Sequence, residues 1–264
     1  MAVVSLGYRT DLMLLGLQGS VIEQRAGYQV IRTPANPTFH WGNFLLLDRP
    51  PATGTVSSWM STFAREFRGA EHVAIGVDDA SGDAGDEAEL AAAGLEADRS
   101  TVLSAAWTTP PPRPNEVAQF RMLDSDADWE AALGLQEAVH PYGEPERWEG
   151  FNGLRLLAMR QLQAQGFGAW LGAFLGGQMV SGLGVFGDGS GVVRFQNVDT
   201  HPEHRNKGLA GTLVHKASRY AQQELAAQTQ VIVADQTGTA IRIYRSVGFR
   251  DAEAQVQVQR RQPG

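Results

Sequence analysis

Arg205-Asn206-Lys207-Gly208-Leu209-Ala210 has the form R-x-x-G-x-A, with Gly211 directly after it. An apolar, strand-like run precedes this stretch and an apolar-periodic, helix-like run follows it. Strand, tight polar loop with glycines, then helix N-terminus is a physical recipe for holding a pyrophosphate. Loop amides point at the anion and small residues let the backbone approach it. The helix dipole adds roughly 0.3–1 kcal/mol. The side chains of Arg205 and Lys207 either add charge or face solvent.

The elements around this loop follow from hydrophobic period. Residues 117–123 alternate like a strand, and 126–139 have helical spacing with Trp129, Leu133, Leu135 and Val139 as candidate core. Residues 153–165 read as a second helix ended by Gly166. Runs 168–175, 178–186 and 191–199 read as three strands, with Gly176-Gly177 and 187–191 as their turns, a meander of antiparallel hairpins. A helix over 209–225, a β-rich run at 229–234, a helix over 239–247 closed by Gly248, and a last strand over 252–260 complete the region. Before it, 12–17, 28–33, 44–47, 72–77 and 102–106 read as strands, and 56–67 and 87–93 as helices. The segment 78–86 reads as an acidic surface loop.

Thr109-Pro110-Pro111-Pro112-Arg113-Pro114-Asn115 is the clearest break, because proline this dense stiffens a linker and stops regular pairing. The expected organisation is an N-terminal domain over 1–108, a linker over 109–116 and a second domain over 117–264.

Hydrophobic content of 43% and charged content of 19% allow a packed core in a 264-residue chain. The net charge of −7 argues against nucleic acid and is compatible with a cationic substrate such as an amine. Without cysteine there is no disulfide, thiolate metal site or cysteine nucleophile. No apolar run approaches a membrane span, and the first residues lack a basic-then-apolar leader, so no membrane partner and a cytoplasmic location are expected.

Two patterns mislead. Gly182-Leu-Gly184-Val-Phe-Gly187 is a formal G-x-G-x-x-G, but another β-rich run follows it where a dinucleotide site needs a helix. His201 and His204 flank Pro202-Glu203 without an evident third ligand, so they read as solvated loop residues and no metal is expected.

Three features then stand in order. Asn197-Val198-Asp199-Thr200-His201-Pro202 runs a strand into the loop; R-x-x-G-x-A follows at 205–210; Ala240-Ile-Arg-Ile-Tyr244-Arg-Ser-Val-Gly248-Phe249 comes about thirty residues later. In this order and spacing, residues 117–264 resemble the GCN5-related N-acetyltransferases. The resemblance implies an α/β (mixed α+β) acyl-CoA N-acyltransferase fold, with a mostly antiparallel central sheet flanked by helices. It implies acetyl-CoA as donor. The pantetheine arm would pair with the strand at Val198, Asp199 and Thr200, much as an added strand does. The pyrophosphate would sit on Arg205, Asn206, Lys207, Gly208, Leu209, Ala210 and Gly211.

An amine acceptor must be neutral, and only about one lysine-type amine in a few thousand is neutral at pH 7. Candidate groups for its proton are Gln196, Asn197, Asp199 and Asp235, of which only Asp199 and Asp235 are carboxylates; turn capping also suits both. Relatives often use a glutamate here, and this strand has none; Glu203 lies on the loop and reads as solvated. Tyr244 occupies the position of the general acid in many family members. Thr237 stands where many relatives carry Asn, which removes one expected cofactor contact.

The order strand, helix, strand, helix, strand recurs before residue 108 without R-x-x-G-x-A, which implies a degenerate, tandem acetyltransferase-like half. Its aromatic run at 36–44 lines an acceptor cleft or is a buried structural strand. The implied function is acetyl transfer from acetyl-CoA to a primary amine of a small molecule or peptide. The alternative is a non-catalytic acyl-CoA-binding regulatory module.

Overall fold

A computed structural model describes residues 2–140 and 145–260, with the backbone alone for 145–149. The elements run α1 (Leu6–Leu17), β1 (Val21–Arg25), β2 (Tyr28–Arg32), β3 (Phe44–Leu47), α2 (Val56–Glu66), β4 (Ala74–Val77), α3 (Glu87–Ala92) and β5 (Leu95–Ala105). Then follow β6 (Gln119–Met122), α4 (Asp126–Val139), α5 (Pro145–Ala164), β7 (Gly168–Leu175), β8 (Gln178–Gly187) and β9 (Val192–Thr200). α6 (Leu209–Glu224), β10 (Thr229–Asp235), α7 (Ala240–Ser246) and β11 (Arg250–Arg260) close the chain. No helix among the described residues is long and apolar enough to cross a membrane.

The chain divides into two compact units, 1–102 with 252–264, and 103–251. The division precedes the proline-rich stretch, and the last strand joins the first unit, unlike the expected 1–108, 109–116 and 117–264. The physical reason is pairing: β11 runs antiparallel to β4, with Val256 opposite Val77 and Val258 opposite Ile75.

In the first unit the strand order is β1-β2-β3-β4-β11-β5. β3 and β4 are parallel, and both are buried along their whole length. The run 12–17, expected as a strand, is the end of α1. Tyr8, Leu12 and Leu15 fall at i, i+4 and i+7 and are buried together in the core of this unit. Asp78 accepts hydrogen bonds from Val4 N (2.8 Å) and Ser5 N (2.9 Å), and Glu253 from Leu6 N (2.6 Å). These distant carboxylates take amides at the entry to the helix. Asp78 is therefore a buried anchor rather than part of a surface loop. β5 begins seven residues before the expected 102, because Glu96, Asp98 and Arg99 mask its alternation. The 36–44 run is tied within its own unit. Asn43 accepts from Thr33 N (3.0 Å) and donates to Asn36 O (3.0 Å) and Phe39 O (2.9 Å), and Phe44 is buried.

In the second unit the order is β10-β9-β8-β7-β6. The expected meander is present: β6–β7, β7–β8 and β8–β9 are antiparallel, while β10 is parallel to β9. Leu171, Leu183, Val185 and Phe195 from the strands pack with Leu213, Val214 and Ala217 of α6.

α4 is fixed at its start. Ser125 and Asp128 form a capping box, and Arg121 of β6 grips both Asp128 oxygens at 2.6 Å. The Arg121 guanidinium, with the amides of Asp124 and Ser125, holds the Asp128 carboxyl well below the usual carboxylate range. Its pKa is lower folded than unfolded, so the stability it contributes is full above about pH 4 and is lost as pH falls through the folded value. Asp128→Asn is expected to cost about 2 kcal/mol at pH 7. In urea titrations the difference from wild type should shrink as pH drops from 5 to 2; a pH-independent difference would contradict the assignment.

Candidate active site

β9 and β10 pair only over Val192–Arg194 and Thr229–Val231. Beyond Arg194 the strand continues to Thr200 along β8. Between the pairs Gly184↔Gln196 and Gly182↔Asp199, Leu183 faces two residues, Asn197 and Val198. This is a bulge, and Asn197 takes the left-handed conformation there (φ 46°). The side of β9 turned away from β8 at Val198–Thr200 is thus an edge suited to strand addition.

After Thr200 the chain makes a short 3-10 turn at Pro202–His204. Asn206 (φ 61°) and Gly208 (φ 75°) then turn it sharply into α6, whose Leu209, Leu213 and Ala217 are buried at i, i+4 and i+8. Among the described residues, the amides of Asn206–Gly211 donate to no carbonyl or side chain. Arg205 and Lys207 are exposed and make no ion pair among the described residues; the Lys207 ammonium lies 3.5 Å from His204 Nδ1. Open amides at a helix N-terminus beside two cations fit a pyrophosphate. No cluster of metal-ligating side chains occurs among the described residues.

The proline-rich stretch is a strap across this loop rather than a free linker. Asn115 N donates to Thr212 Oγ1 and Asn115 Nδ2 to the Lys207 carbonyl, both at 2.8 Å. A Cβ on Gly208 would stand 2.2 Å from the Arg113 carbonyl oxygen, and one on Gly211 3.1 Å from Pro111 Cβ. The glycine at 208 therefore makes room for the strap as well as for the turn.

Asp199 is buried on β9. Its Oδ1 is 3.2 Å from His140 Nε2, just past the end of α4. Its Oδ2 is buried without a partner among the described residues. Its backbone carbonyl accepts from Ser181 Oγ (2.7 Å) on β8. The hydrogen bond from Asp199 pushes the His140 imidazole above its ordinary value, against partial burial and the charges of Arg205 and Arg155. Tyr244 of α7 is buried, and its hydroxyl has no hydrogen-bond partner among the described residues. Burial first, and then the Asp199 charge, push it well above the usual phenol range. Arg155 of α5 donates to Asn197 Oδ1 (3.3 Å), beside a small cavity lined by Gln136, Leu156, Met159 and Trp170.

The structure thus brings Asp199 and Tyr244 into electrostatic reach at the end of β9. Asp235 is elsewhere in role: exposed, it accepts from Thr237 N and Oγ1, both at 2.8 Å, and caps a turn. Glu203 is exposed on the loop. His140 and Arg155 escaped the sequence reading because no local motif surrounds them and their partners lie 59 and 42 residues away.

Residues 159–251 match the family model for the acetyltransferase (GNAT) domain. The loop, Asp199 and Tyr244 all lie within this matched stretch. A GCN5-related N-acetyltransferase from Kribbella flavida superposes with a TM-score of 0.67 at 15% identity, covering 98% of this chain and 97% of that one. A functionally unknown conserved protein from Staphylococcus epidermidis gives 0.68 at 11% identity, covering 92% and 94%. A tandem GNAT protein from the clavulanic acid biosynthesis pathway gives 0.54 at 15% identity, covering 96% and 93%. These likenesses extend over both units, so the first unit too has a GNAT-like fold. No match is found among curated proteins.

Gly208→Ala should place a side chain at a left-handed position and against the Arg113 carbonyl. Urea unfolding is expected to show a loss of about 2 kcal/mol or more, with weaker pyrophosphate binding by calorimetry. An unchanged midpoint and affinity would show that the strap does not need this glycine.

Proposed function

We propose that the chain transfers an acetyl group from acetyl-CoA to a primary amine of a small molecule or peptide. The observation that carries this reading is the set of open amides at the start of α6, one strand end away from a buried carboxylate and a buried tyrosine whose hydroxyl has no partner among the described residues. The donor's pyrophosphate lies on the loop Arg205–Gly211, whose amides are open from Asn206 on, with Arg205 and Lys207 as counter-charges; each charge-assisted bond contributes about 1.5–3 kcal/mol. Its pantetheine arm pairs with β9 at Val198–Thr200.

The amine nitrogen attacks the thioester carbonyl, forming C–N as C–S breaks. The amine proton leaves toward the Asp199 carboxylate side of the site. The thiolate receives a hydrogen bond from Tyr244. An ordinary phenol already gives up its proton to a thiolate at a cost of about 2 kcal/mol, and the upward shift of Tyr244 raises that cost. Tyr244 therefore stabilises the leaving sulfur as a donor and keeps its proton.

The first unit holds no second donor. In its strand–loop–helix–strand order, α2 occupies the place of α6, and the Glu89 carboxylate takes the amides of Gly54 (2.7 Å) and Val56 (2.9 Å). An internal anion sits where the cofactor's would.

Calorimetry with coenzyme A is expected to give one site per chain. Thiol release from acetyl-CoA over an amine panel should show turnover, and Tyr244→Phe should lower kcat about a hundredfold with donor affinity unchanged. Tight binding with no turnover on a broad panel would favour a non-catalytic acyl-CoA-binding module instead.

A further inference from the structure

The acetyltransferase reading leaves the route of the amine proton open. The Asp199 side chain is buried, and an imidazole stands between it and the more exposed part of the site. Asp199 Oδ1 faces that imidazole at 3.2 Å. We propose that His140 is the group that takes the amine proton, and that Asp199 is the positioning residue that orients it and stabilises its charged form. This rests on the acetyltransferase reading and deepens it.

Four observations carry the assignment. First, the pair is asymmetric: the Asp199 side chain is 7% exposed, while that of His140 is 49% exposed and reachable by a substrate. A buried carboxylate with an accessible imidazole on it has the geometry of a base and its orienter. Second, the contact fixes the tautomer. Asp199 accepts from Nε2–H, so Nδ1 carries the lone pair, and Nδ1 makes no hydrogen bond among the described residues. Third, Asp199 Oδ2 is buried without a partner among the described residues. Leaving a buried polar oxygen so is costly in a merely structural pair, and an ammonium or a bridging water entering the site relieves it. Fourth, Asp199 is held from behind by Ser181, so it has a fixed place from which to hold the ring.

Three charged groups face His140. Asp199 on β9 raises its basicity, while Arg155 on α5 and Arg205 on the donor loop lower it; Tyr244 on α7 faces Asp199 and stays neutral. The net direction is upward, toward the amine. In the step itself, His140 Nδ1 takes one proton from the attacking nitrogen as C–N forms and C–S breaks. The thiolate leaves on the Tyr244 hydrogen bond, and the imidazolium then returns its proton to the thiolate or to water.

The test has two arms in the full chain. Nuclear magnetic resonance of ring-labelled histidine should give His140 a pKa above 6.5 in wild type, and a lower one in Asp199→Asn. In steady state, with kcat/KM referred to the neutral amine, log kcat/KM should rise with unit slope up to that same pKa. His140→Gln should lower kcat about 10²–10³-fold and remove that ionisation, with coenzyme A affinity and the thermal midpoint kept. Imidazole added to His140→Ala should restore part of the rate. Activity of His140→Gln within threefold of wild type, or a His140 that titrates at or below the ordinary value, overturns this assignment alone. A wild-type protein that turns over no amine overturns the acetyltransferase reading, and this assignment with it.

Discussion

A parallel ladder that ends after three residue pairs leaves half a strand with unpaired backbone groups along one edge. That is the condition of β9, which leaves β10 at Arg194 and runs on to Thr200 beside β8 alone. The bulge at Asn197 accompanies the parting. An extra residue reverses the alternation beyond it, and so decides which face Asp199 takes. The same strand end delivers the chain into the Arg205–Gly211 loop. An open edge, a buried carboxylate and an open helix N-terminus are therefore consequences of one interruption in one ladder.

Buried charge at that strand end sorts the titratable groups around it. Burial, and then the Asp199 charge, raise Tyr244, and the hydrogen bond to Asp199 raises His140, but with opposite meaning. For the phenol, the shift keeps a neutral donor neutral at any working pH. For the imidazole, it makes the neutral form a better receiver of a proton. In the proposed mechanism the phenol is then the donor and the imidazole the acceptor around one shared carboxylate. The capping box at Ser125 and the Arg121–Asp128 pair serve this arrangement at a distance, since they fix the helix whose far end presents His140.

The two units show how one architecture takes opposite outcomes. Each places a helix N-terminus after a strand that pairs in parallel with the strand beyond the helix. In the second unit the amides there are open. In the first, Glu89 from the following helix reaches back and takes two of them. The dipole and the orphan amides favour an anion in both cases. What differs is that in the first unit the protein's own carboxylate already holds the amides, at no translational cost.

Local sequence revealed what local forces decide. The R-x-x-G-x-A turn, the meander from 168 to 199 and the 126–139 helix were legible because their periods and turn residues sit within a few positions of one another. The run 12–17 was not, since a short apolar stretch is compatible with strand or helix, and only the core position of Tyr8 settles it. β5 was truncated by charges on its exposed positions. His140 was invisible because its meaning is made by a partner on another element. Gly208 is the most instructive case. The motif requires a glycine there, and the anion loop is reason enough to expect one. The backbone angle satisfies that reason, yet the missing Cβ is also the space through which the Arg113 carbonyl passes. A sequence can mark a position as glycine without disclosing which neighbour needs the room. The proline-rich strap, read alone, offers no hint that its seat lies ninety-five residues on.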